Sequence, residues 1–121
     1  MNVTEFINGA NNVSLNLEIE AKVKNVYGAS VPDCILKMLS ATPEGEFFDS
    51  DDVCRIMSVD EILNASKELG VDFLASEIIP VFDVGDNCFV CYDLKVAVWL
   101  KYNIVDMISY GRKANLNEMF H

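Results

Sequence analysis

The spacing of hydrophobic and polar positions changes along the chain, and those changes divide it into elements. The most apolar stretch is Ile78–Leu94. There two runs rich in β-branched and aromatic residues flank the polar segment Asp83–Asn87, which contains one glycine, Gly85. That is the pattern of a β-hairpin. Its apolar residues fall at successive positions instead of alternate ones, so the hairpin is expected at the centre of a sheet with both faces at least partly covered.

Upstream the period is helical. Residues 1–13 read as a short, loosely held lead-in, in which Val3, Phe6 and Ile7 can dock as one helical turn before a break at Asn8–Asn12. Ser14 then caps a helix expected to run to Tyr27, with Leu15, Ile19, Val23, Val26 and Tyr27 on one face and Gly28 as its stop. Pro32 opens a second helix at its first position, with Asp33 in the first turn, where the helix dipole favours an acid. Ile35, Leu36, Met38 and Leu39 form its buried face, and Thr42–Gly45 ends it.

Glu46–Asp52 is a polar loop whose Phe47 and Phe48 are expected to pin it to the core. Val53–Met57 alternates as a strand. Ser58 and Glu61 form a capping box, and the helix behind them carries Val59, Ile62, Leu63 and Leu69 and stops at Gly70. Val71–Glu77 fits either an irregular arm or a helical turn. Beyond the hairpin, Val96–Tyr102 reads as a strand antiparallel to its predecessor across Asp93–Lys95, Asn103–Ser109 as an edge strand or loop, and Asn115–Phe120 as a short capped helix. Successive strands with short connections imply an antiparallel sheet packed with helices. The expectation is a single α+β domain over residues 14–121.

Charge adds a direction. The 121 residues carry a net charge of −10, and all of the excess lies in the middle. Between Glu44 and Asp93 there are 13 acids against only Arg55 and Lys67. Such a surface repels phosphate backbones, so nucleic acid is not an expected partner. It attracts and steers a basic protein, although the same charge can serve solubility alone. The candidate contacts are Glu44, Glu46, Asp49, Asp51, Asp52, Asp83 and Asp86. No 18-residue apolar run suggests a membrane span, and the first residues lack the basic start and apolar core of a secretory signal. A cytoplasmic protein is the expectation.

Catalytic and metal chemistry find little to use. Cys88 and Cys91 have C-x-x-C spacing, but residues three apart on a strand point to opposite faces, and there is no second such pair. The only histidine is His121, at the chain end, so no nucleophile has an obvious base. Asp49-Ser50-Asp51-Asp52 loosely suggests a calcium loop, yet Cys54 stands where the sixth-position glycine belongs and Asp60 where the twelfth-position glutamate belongs. No catalytic residue, metal or cofactor is expected.

Several motifs in order resemble the SUKH superfamily, which includes a yeast cell-wall-synthesis regulator and many bacterial immunity proteins. They are Gly28-Ala29-Ser30-Val31-Pro32 followed by Ile35, Met38 and Leu39; the capped Ser58-Val59-Asp60-Glu61-Ile62; and Ile78-Ile79-Pro80 through Cys91-Tyr92-Asp93-Leu94. Asn115–Phe120 matches the family's closing helix loosely. The resemblance spans roughly residues 15 to 120. It implies a non-catalytic binding protein that neutralises a cognate toxin domain of nuclease or deaminase type, or, as the alternative, a regulatory interaction module of the same fold with no toxin partner.

Overall fold

The central hairpin does lie at the middle of the molecule. In the computed structural model, which describes residues 1–120, six strands form one antiparallel sheet in sequence order. They are β1 (Glu46–Phe47), β2 (Arg55–Ile56), β3 (Ile78–Gly85), β4 (Cys88–Asp93), β5 (Val98–Asn103) and β6 (Ile108–Lys113). The helices are α1 (Val3–Ala10), α2 (Leu17–Tyr27), α3 (Asp33–Ala41), α4 (Val59–Leu63), α5 (Ala65–Leu69) and α6 (Phe73–Ser76), followed by a 3-10 helix at Leu116–Phe120. The chain is an α+β domain. No described helix is long and apolar enough to cross a membrane. His121 lies outside the described residues.

Burial on both sides of β3 and β4 follows from their unbroken apolar runs. Phe89 and Val90 are adjacent on β4, point to opposite faces, and are both buried. Phe89 pairs with Tyr102, whose ring meets Phe73 of α6 edge-on at 6.0 Å. Val90 pairs with Phe82, and Phe82 contacts Phe120 at 5.1 Å and Phe48 at 6.4 Å. Phe48 in turn stacks at 4.8 Å on Phe6 of α1. The sheet is therefore covered by helical segments on each side, and the aromatics weld the covering to the strands.

Several boundaries move for local reasons. The first 13 residues are no loose lead-in: α1 is capped by Asn2 and buries Val3, Phe6, Ile7 and Ala10. Helix α2 begins at Leu17 because Asn16, not Ser14, accepts from the amides of Glu18 and Ile19. Pro32 sits at the cap of α3, one place earlier than expected. The helix behind the capping box breaks at Asn64, whose side chain donates to the Asp60 carbonyl at 2.8 Å and so competes with helical continuation. Val71–Glu77 contains the short helix α6, capped by Asp72. Phe47 and Phe48 divide, because the expected loop begins as β1, which ends at Phe47, and Phe48 just past it packs against Phe6 and Phe82. Phe48 is buried, while Phe47 is 71% exposed. The hairpin turn is tighter than Asp83–Asn87: β3 runs to Gly85, and only Asp86 and Asn87 turn.

The next two connections share one design. Asp93 Oδ1 accepts from the amides of Lys95 and Val96, and the Ala97 amide returns to the Asp93 carbonyl at 2.9 Å. Asn103 Oδ1 likewise accepts from Val105 and Asp106, and the Met107 amide returns to the Asn103 carbonyl at 2.9 Å. Each turn then leaves through a left-handed residue, Ala97 at φ 56° and Met107 at φ 58°. These Asx turns delay β5 to Val98 and β6 to Ile108, displacing both strands from the expected ranges.

Two stability changes follow. Met107→Gly is expected to stabilise the fold by roughly 0.5–1 kcal/mol, because glycine enters the left-handed region without the side-chain penalty. Gly45→Ala is expected to destabilise it by about 2–3 kcal/mol, since φ is +81° and an added Cβ would stand 2.8 Å from the Ile56 carbonyl oxygen. Urea unfolding midpoints for the two variants check both signs.

Candidate functional site

The acidic segment is shaped by its two ends. Phe48 donates its amide to the Cys54 carbonyl at 2.9 Å, closing Asp49–Val53 into a protruding loop between β1 and β2. Asp49 is tied back to the Met1 ammonium group at 2.9 Å. This exposed pair contributes little to stability. Val53 leans onto the central hairpin at Gly85, where an added Cβ would lie 3.2 Å from Val53 Cβ. Gly85 thus lets the loop approach the hairpin tip. There Asp86 and Asn87, at φ 53° and 63°, make a turn of the primed type that suits a twisted hairpin.

Two adjoining clefts result, of about 360 and 420 Å³. They share Asp52, Val53, Val84 and Lys101. The first extends past Asp49 toward Thr4 and Phe120, and the second past Asp51 and Asp86 toward Cys88 and Tyr110. The fold therefore gathers Asp49, Asp51, Asp52 and Asp86 around one concavity, although Asp86 comes from a distant part of the sequence. All four are exposed. Among the described residues, half-buried Lys101 is the one base lining these clefts, carried there by β5 between Val90 and Tyr110.

The other expected contacts lie elsewhere. Glu46 is on the β1 edge, where it lines a small apolar groove with Phe6 and Ala10. Glu44 is exposed in the turn before β1. Asp83 does not stand on the rim of the cleft: its Oδ2 accepts from Arg55 Nη2 at 3.3 Å, and its Oδ1 accepts from the Gly85 amide at 3.0 Å. Arg55 also donates twice to Glu61, at 2.8 and 2.7 Å. Glu61 meanwhile completes the capping box by accepting from the Ser58 amide at 3.0 Å. One guanidinium thus joins β2, β3 and the start of α4. The Arg55 hydrogen bonds, aided by the Ser58 amide, hold the Glu61 carboxyl at about 2, well below its ordinary 4.5.

The thiols are chemically quiet where they are buried. Burial drives Cys91 far up, and burial together with Asp83 pushes Cys54 to about 11. Cys88 lies half-exposed on the opposite face of β4 from Cys91, 3.3 Å from the Tyr110 hydroxyl, so the C-x-x-C thiols diverge as expected. All four cysteines are free. Among the described residues, no group of three or more His, Cys, Asp or Glu side chains is placed to hold a metal ion. What the site offers is an acidic, solvent-open concavity with one internal cation, suited to receiving positive groups of another molecule.

Comparison of the chain with protein-family models, curated proteins and solved structures finds no match in any of the three. Lys101 and Tyr110 are site residues the sequence pattern did not single out. Their approach to the acidic loop depends on strand pairing between distant segments, which leaves no local signal.

The ion cluster makes a pH prediction. Glu61 has a folded-state pKa below its unfolded value, so its stabilisation is complete above about 4.5 and is lost as pH falls toward about 2. The stability gap between the native chain and Glu61→Gln is expected to close over that interval. Urea titrations at pH 7, 4 and about 2.5 measure it, and a gap independent of pH would assign Glu61 a role other than its charge.

Proposed function

We propose that this is a non-catalytic binding protein whose acidic cleft receives a basic protein partner, and that the partner is a toxin domain which it neutralises. The observation that carries the reading is the convergence of Asp49, Asp51, Asp52 and Asp86 around one cleft in which Lys101 is the lining base. Of the two bases in the acidic middle of the chain, Arg55 is committed internally to Glu61 and Asp83. Asp49 is paired with the Met1 ammonium group, and Asp51, Asp52 and Asp86 thus keep an outward field that accelerates encounter with a cation-rich surface. The order of motifs resembling SUKH immunity proteins supports a toxin as that partner. A nuclease or deaminase presents basic groups to its nucleic-acid substrate, and a ring of carboxylates can occupy them in place of phosphates.

The test is co-purification with the product of the adjacent gene, followed by association kinetics. Asp49→Lys/Asp51→Lys/Asp52→Lys changes only exposed side chains and is expected to fold normally. It should slow association by about tenfold or more and flatten its salt dependence. Unchanged rate and salt dependence would remove the acidic loop from the interface. Recovery of a scaffold or cell-wall factor in place of a toxin would favour the regulatory alternative.

A further inference from the structure

The sheet ends in two unlike edges. β1 has only two residues, and such shortness limits further pairing. β6 has six, every one exposed. With the turn before it, β6 carries Val105, Met107, Ile108 and Tyr110, each between 44% and 67% exposed. Of the large apolar side chains left exposed, four thus crowd this one hairpin, while Leu17, Phe47, Val53, Leu74 and Val96 are scattered over other elements.

The strand has one flat part. Register shifts between Trp99 and Lys101, so that Gly111 and Arg112 oppose a single β5 residue, and Gly111 takes φ +66°. This bulge bends the far end of the edge and leaves Ile108-Ser109-Tyr110 in regular pairing with Asn103, Tyr102 and Lys101. Ile108 and Tyr110 accordingly share a face, with Ser109 between them on the other.

We propose that β6 is a self-association edge, where a second copy of the chain pairs antiparallel about a two-fold axis at Ser109 and joins the two sheets. In that register Ile108 of each copy lies beside Tyr110 of the other, and Ser109 meets Ser109. The ends are complementary in charge, because Asp106 precedes the strand whereas Lys113 and Arg112, the latter 3.4 Å from Asp93 of its own chain and half exposed, close it. The rest of the chain favours the same place. Two molecules of charge −10 repel, so a self-contact belongs where acids are scarce. From Leu94 to His121 the sequence holds only Asp106 and Glu118 against Lys95, Lys101, Arg112 and Lys113. A second copy also closes the assembly, since its own β6 is consumed. The proposal is argued from the strand edge and not from the acidic cleft, although Tyr110 also lines the second of the two clefts.

Sedimentation equilibrium of the full chain between about 1 and 200 µM is expected to show a monomer–dimer equilibrium with no larger species. Added salt should strengthen the dimer by screening net repulsion, the opposite of its effect on a basic partner at the cleft. Ile108→Lys/Tyr110→Lys should weaken dimerisation at least tenfold without altering far-UV circular dichroism, because both positions are exposed. In a Cys34→Ser/Cys88→Ser background, Ser109→Cys should oxidise to a disulfide-linked dimer and Ser50→Cys should not. A chain that stays monomeric over the whole range, or a dimer indifferent to the double lysine variant, would overturn the proposal.

Discussion

Burial of β3 and β4 on both faces is the constraint on which the remaining structure rests. Phe82, Val90 and Cys91 have no solvent-exposed surface, and a hairpin of that composition is stable only between two coverings. The N-terminal helix α1 and the closing 3-10 helix meet on one side through Phe6, Phe48, Phe82 and Phe120. On the other side, α6 contributes Phe73 against Tyr102. Segments from both ends of the chain are therefore needed to complete one core, which is why the first ten residues cannot be a passive lead-in.

The same arrangement separates charge. Arg55 links two strands and a helix, and in doing so binds both Glu61 and Asp83 and offsets one of their two charges. Such a half-buried, bidentate pair keeps its geometry better than exposed ion pairs do. The carboxylates of the β1–β2 loop and the β3–β4 turn are left to face solvent around Lys101. At the last edge of the sheet, β6 presents apolar and basic side chains, and its Tyr110 also reaches the second cleft. A single sheet thus carries exposed carboxylates on its loops at one side and a strand with exposed apolar side chains at its last edge.

Much of this was legible locally. The helical faces of α2 and α3, the Ser58–Glu61 capping box and the central hairpin all follow from side-chain period and capping chemistry, and the described structure contains each of them. Those signals act over three to eight residues, so the sequence by itself determined these helices, this hairpin and their apolar faces, but not α1, β1 or the bounds of β5 and β6. It also determined that the middle of the chain is acidic.

Only the tertiary structure decided how those acids are spent. Asp83 and Asp86 are three residues apart, yet one is tied to Arg55 and the other lines the cleft with Asp52 and Lys101. Phe47 and Phe48 are neighbours, yet one is exposed and the other buried. In both pairs the outcome depends on strand register and on what packs across the sheet. Those are set by contacts between segments remote in sequence, where a shift of one residue reverses every side chain.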